Sequence, residues 1–153
     1  TNLMTWLMKG QQPASVTAVT RQFKPGVYPQ VDDEATIIVT YPDAQAIIEA
    51  SWNWPFSRKD MELYGNTGYV ITVNNSDMRI RQKNDKTEQR RSYTANDIPV
   101  YENPFSYLAD VIRGKITVRD DGLYALPNNI MVVRILEAAK KSAATGKTVF
   151  LND

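Results

Sequence analysis

Apolar residues recur along the chain at two different periods, and the switch between them predicts the elements. Leu3 and Leu7, and likewise Met4 and Met8, stand four residues apart, which is the apolar stripe of a helix, with Lys9 and Gly10 as stop signals. Too few turns precede that stop for an isolated helix. The stretch 1–8 is therefore expected to be the tail of a longer helix, and the chain to be a C-terminal piece of a larger protein. From Ser15 to Phe23 the residues are largely β-branched and predict a strand closed by Lys24-Pro25-Gly26. A polar loop runs on through Tyr28, Pro29 and Gln30 to Asp32-Asp33-Glu34.

A strict alternation follows. Ala35, Ile37, Val39 and Tyr41 share one face, Pro42-Asp43 turns the chain, and Ala44, Ala46, Ile48, Ala50 and Trp52 line the returning strand. Residues 58–64 and 69–73 predict a second pair around Gly65-Asn66-Thr67-Gly68. Met78 to Arg81 and Gln89 to Tyr93 predict a third, polar hairpin. Helical spacing returns at Phe105, Leu108, Val111 and Ile112, behind an Asn103 cap and a Pro104 at the first helical position, with Gly114 as the stop. A longer helix is expected from Asn128 or Asn129 to Gly146, followed by a strand over Thr148 to Leu151. Strands on short turns with the helices segregated from them predict an α+β fold. It would have an open, mostly antiparallel β-sheet of about six or more strands, with helices packed on one face of a single domain over residues 1–153.

Composition narrows the chemistry. The chain has neither Cys nor His, so disulfides, thiolate nucleophiles, imidazole proton transfer and His- or Cys-ligated metal are excluded. A net charge of +1 provides no global field for nucleic acid or anionic membrane, and no apolar run reaches the ~20 residues that span a bilayer. Five motifs invite a functional reading. Thr145-Gly146-Lys147-Thr148 contains the end of a phosphate loop, but Lys141 stands where its first Gly belongs and helix precedes strand, so a helix C-cap is expected. Gly65-x-x-Gly68 lacks the helix that would hold a pyrophosphate and reads as a strand turn. The basic run Arg79, Arg81, Lys83, Lys86, Arg90 and Arg91 is interleaved with Asp77, Asp85 and Glu88 and reads as a charged edge hairpin. Asp32-Asp33-Glu34 lacks calcium-loop spacing and is expected to be solvated. Trp52, Trp54 and Phe56 alternate and would share a face if the strand continued, suited to a buried interface or to stacking on a sugar or polyol.

These residues resemble a family. Asp32 to Ala35, then Thr40-Tyr41-Pro42-Asp43-Ala44 through Ala50-Ser51-Trp52, are similar to a strand pair of the glucose-fructose oxidoreductase / inositol dehydrogenase (Gfo/Idh/MocA) family. Glu62-Leu63-Tyr64-Gly65-Asn66-Thr67-Gly68 resembles its following strand and turn, and Ile135 to Ala143 with Thr145 to Val149 its closing helix and strand. Ala44 departs from the Gly common in the family's hairpin. The resemblance implies the C-terminal substrate-binding and oligomerisation domain of a parent whose N-terminal Rossmann domain, absent from this chain, binds NAD or NADP. The parent would act on a sugar, polyol or related carbinol by hydride transfer. The family's catalytic Lys lies in the other domain. Its Asp and His precede the position of Asn2, so no catalytic and no cofactor-binding residue is carried over, and the chain alone is expected to be inactive. Substrate-side candidates are Lys24, Tyr28, Trp52, Trp54 and Arg58, with no metal ligand. Expected partners are the parent's Rossmann domain, a small sugar or polyol, and a second copy through the sheet, with no nucleic acid or membrane. The competing reading is a stand-alone ligand-binding or oligomerisation module without redox activity.

Overall fold

A computed structural model describes residues 1–97 and 103–151. In chain order the elements are α1 (Asn2–Leu7), β1 (Ser15–Arg21), β2 (Glu34–Thr40), β3 (Gln45–Ser51), β4 (Glu62–Gly65), β5 (Gly68–Thr72), β6 (Asp77–Gln82), β7 (Gln89–Ser92), α2 (Pro104–Ile112), α3 (Leu126–Thr145) and β8 (Val149–Phe150). The class is α+β with open antiparallel sheets, as the sequence predicts, and the strands form two sheets of four. The chain divides into two compact units, one of Thr1–Asn53 with Gly114–Asp153 and one of Trp54–Arg113.

The first unit holds the buried core. Its sheet has the order β3-β2-β1-β8. Register places Val149, Val16, Val39 and Ala46 in one cross-strand row and Ala18, Ile37 and Ile48 in the next. Residues directly opposite share a face, so both rows present β-branched side chains to the same side. On that side α3 buries Ile135, Ala138, Ala139 and Ser142, spaced i, i+3, i+4, i+7. The two alanines bring the helix close to the sheet. Ile135, Val16 and Val39 are fully buried, each contributing roughly 1.5–3 kcal/mol of transfer free energy. The Ser142 hydroxyl accepts the Ala18 N–H at 2.9 Å within this core.

Tertiary contact also secures α1, which at six residues is too short to persist alone. Met4 and Met8 pack against the core, Thr5 is buried, and Asn2 donates to Asn129 of α3 at 2.9 Å. That contact explains one departure from the sequence reading. Asn128 and Asn129 do not cap α3, because their amides donate to Leu123 and Ala125 carbonyls, and the helix begins earlier, with Pro127 in its first turn. Gly146 ends it in the left-handed region (φ 67°), its N–H donated to the Ser142 carbonyl.

The second unit is a meander of order β4-β5-β6-β7. The first of these strands is shorter than the alternation over 58–64 predicts. The Thr72 hydroxyl and main chain, at the end of β5, close on Met61, and among the described residues the strand begins only at Glu62. Gly68 is required in the intervening turn: its φ is +152°, and a Cβ there would meet the Arg81 carbonyl oxygen at 2.2 Å. Asn103 caps α2 by accepting the Phe105 N–H at 2.8 Å, as predicted, yet Phe105, Leu108 and Ile112 stay exposed.

Replacing Ser142 with Ala strands the Ala18 N–H and is expected to destabilise the chain by about 1–3 kcal/mol. Ile135→Ala should cost about 2–5 kcal/mol, and Val133→Ala, on the exposed side of the same helix, no more than about 0.5 kcal/mol. Urea unfolding of the three variants measures this order.

Candidate functional site

The loop joining β1 to β2 is built around one carboxylate. Asp33 was expected to be solvated, but it is only 3% exposed. Its Oδ1 accepts the Phe23 N–H at 2.9 Å and its Oδ2 the Lys24 N–H at 2.7 Å. The Asn53 amide donates to Oδ1 at 2.9 Å, to the Asp33 carbonyl at 3.2 Å and to Glu34 Oε2 at 3.1 Å. The Ser51 hydroxyl donates to the same Glu34 oxygen and accepts the Asn53 N–H. Asp33 and Glu34 thus form a structural node held by backbone, hydroxyl and amide donors, while Asp32 is exposed as expected. The signal that could have revealed it is the polar Ser51-x-Asn53 at the end of the paired strand, in register with Glu34.

This node orders the side chains around it. The Lys24 carbonyl accepts the N–H groups of Val27 and Tyr28, making a tight turn, and Gln22 donates to the Tyr28 carbonyl. Tyr28 is thereby set against Trp52, ring centroids 5.0 Å apart and planes tilted by 56°. Trp52 remains 60% exposed, its main-chain N–H held by the Asp33 carbonyl at 2.9 Å. Tyr28 and Trp52, two of the five candidates, are therefore brought together in the first unit, and Lys24 opens the turn that carries Tyr28. An aromatic pair of this kind suits a ligand with C–H faces and hydroxyl edges.

Trp54 and Arg58 belong to the second unit. The alternation Trp52, Trp54, Phe56 does not share a strand face, because β3 ends at Ser51, where the Asp33 carbonyl and the Ser51 hydroxyl take the next two N–H groups. The Arg58 guanidinium lies 5.2 Å from the Trp54 ring centre and bonds Asp60 at 2.8 Å. That hydrogen bond, the largest influence on it, holds the Asp60 carboxyl below its ordinary range. An open polar hollow of about 890 Å³ lies between the segment Ser57 to Asp60 and the turn Asn74 to Asp77.

Neither glycine motif fits a nicotinamide nucleotide. Gly65 and Gly68 face each other across a strand turn, and Gly146 sits at the C-terminal, negative end of α3, where a pyrophosphate is repelled. Among the described residues no group of three or more Asp or Glu could hold a metal ion.

Burial alone would raise the Asp33 carboxyl, but the Asn53 amide, the Phe23 and Lys24 N–H groups and the Lys24 charge outweigh it and hold it below its ordinary value of 3.8. A carboxyl depressed in the folded state contributes stability that is complete above the unfolded value and is lost as pH falls through the folded one. The stability gap between the native chain and Asp33→Asn is therefore expected to be full at pH 7 and to shrink by pH 3. Urea midpoints at the two pH values check this, and an unchanged gap counts against it.

Comparison with known proteins places this geometry. Residues 1–71 match the model of the GFO/IDH/MocA C-terminal domain. The comparison with curated proteins finds no match. Among solved structures the fold is similar to an NAD-binding protein from Listeria innocua (14% identity, TM-score 0.68, 97% of this chain and 48% of that one). It is also similar to a protein of Sinorhizobium meliloti 1021 carrying the provisional name of a myo-inositol dehydrogenase (16%, TM-score 0.66, 99% and 48%). A third is GenD2 of gentamicin A biosynthesis, solved in complex with NAD (19%, TM-score 0.55, 99% and 45%). The chain spans a little under half the length of each. The resemblance read from the sequence is thus met by a family model: residues 1–71, a little under half of the chain, match the GFO/IDH/MocA C-terminal domain, and the solved structures similar in fold include oxidoreductases.

Proposed function

We propose that the chain is the substrate-side and assembly half of an NAD(P)-dependent oxidoreductase acting on a sugar, a polyol or a related carbinol by hydride transfer. The nucleotide belongs to a Rossmann domain elsewhere in the parent, and the Tyr28–Trp52 pair contributes to the substrate side, with Lys24, Trp54 and Arg58 as further candidates. The observation that carries the reading is the family match over residues 1–71, which includes all five of these side chains. Two similar structures named for NAD and one named for an inositol support it.

The reading requires a strand followed by Gly-x-Gly-x-x-Gly, and a later Glu-Lys-Pro, encoded upstream in the parent. It also requires that the intact parent reduce NAD or NADP with a polyol, while the 153-residue chain gives no calorimetric signal with either nucleotide. A parent without these motifs, or micromolar nucleotide binding by this chain, would overturn it.

Assembly is assigned to the outward face of the first unit's sheet. Val19, Ile47 and Phe150 are exposed there, opposite in pleat to the rows packed under α3. Light scattering is expected to show a dimer or larger species that Ile47→Lys dissociates. A strict monomer at high concentration sinks this assignment.

A further inference from the structure

Both rings of the aromatic wall depend on the same residue. The Asp33 carboxylate holds the Phe23 and Lys24 N–H groups, which starts the turn whose carbonyl, at Lys24, then takes the Tyr28 N–H at 2.8 Å. The Asp33 carbonyl holds the Trp52 N–H, and Asn53, next along the chain, bonds the carbonyl and the carboxylate together. Tyr28 is reached through the side chain and Trp52 through the main chain. Residues 22–32 lie outside every strand and helix, so the loop has no ladder to hold it in place. An exposed loop without a ladder pays full ordering entropy unless a local anchor fixes it.

We propose that Asp33 is the positioning residue of this site: its carboxylate holds the turn from Lys24 to Tyr28, sets Tyr28 against Trp52, and so presents the aromatic pair to a ring-shaped polyol. The proposal rests on the reading of this cluster as the substrate side. A tilted aromatic pair 5.0 Å apart offers faces to the axial C–H groups of a closed ring, and a linear polyol lacks a rigid face to match. Asp33 does not touch the ligand. It acts through the loop, as second-layer hydrogen bonds fix the geometry of a binding group.

The test uses the full chain, with Asp33→Ala and Asp33→Asn. The second variant keeps the side-chain shape, so it reports even if the first does not fold, and it turns one acceptor into a donor facing an N–H group. Amide exchange at Phe23 and Lys24 is expected to quicken about tenfold or more. The nuclear Overhauser contact between the Tyr28 ring and the Trp52 indole should vanish, while amides of Val16 and Val39 stay protected. Titration with myo-inositol should shift the Trp52 indole resonance in the native chain and bind about tenfold more weakly in either variant, with sorbitol as the linear control. Retained exchange rates and a retained Tyr28–Trp52 contact overturn the role of Asp33. A native chain that responds to neither polyol overturns the polyol reading instead, and the exchange and ring-contact measurements still decide the positioning.

Discussion

The first unit depends on covering one face of the β3-β2-β1-β8 sheet with α3. Val16, Val39 and Ile135 are completely buried there, and the other elements of that unit are placed by reference to them. β8 returns beside β1 because α3 ends at Gly146, three residues before Val149, in a conformation that turns the chain back. α1 exists because Met4, Met8 and Thr5 find that same core. A helix of this length has no stability of its own, so its presence is a consequence of burial rather than of propensity.

A second, polar constraint operates at the other end of the sheet. Where β1 and β2 part and β3 finishes, a buried carboxylate accepts the Phe23 and Lys24 N–H groups that no ladder reaches, and the Asn53 amide donates to that carboxylate and to the Asp33 carbonyl. Such groups are costly to leave unpaired. The arrangement anchors both ends of an irregular loop beside an exposed Tyr–Trp pair. Hydrophobic burial supplies the platform, and the polar node shapes what stands on it.

The second unit is held differently. None of the residues of β4, β5, β6, β7 or α2 is fully buried. Its sheet is tied by ladder hydrogen bonds, by Tyr64–Glu62 and Tyr69–Glu88 bonds and by an Arg79–Glu88 pair, all of them partly solvated. Partly solvated pairs contribute little each. The apolar stripe of α2 is likewise uncovered.

Period-two alternation made β2 and β3 legible because a one-residue slip would turn every apolar side chain to water. Likewise, helical spacing at Ile135, Ala138, Ala139 and Ser142 left one face for α3, and Pro104 and Gly146 marked helix ends by backbone geometry alone. Such local rules determined the α+β class, the order of elements and the family resemblance. They misplaced the start of α3 and the extent of β4 and β8, where partners distant in sequence decide which N–H is paired. For the candidate site, the sequence nominated Lys24, Tyr28 and Trp52 by chemical type, and could not show that the two rings meet. The division of eight strands between two sheets, the burial of Asp33 and the pairing of Tyr28 with Trp52 were decided by tertiary structure. Each depends on contacts between residues far apart in sequence, such as Asp33 with Asn53 or Val16 with Val149, and no local periodicity records such a contact.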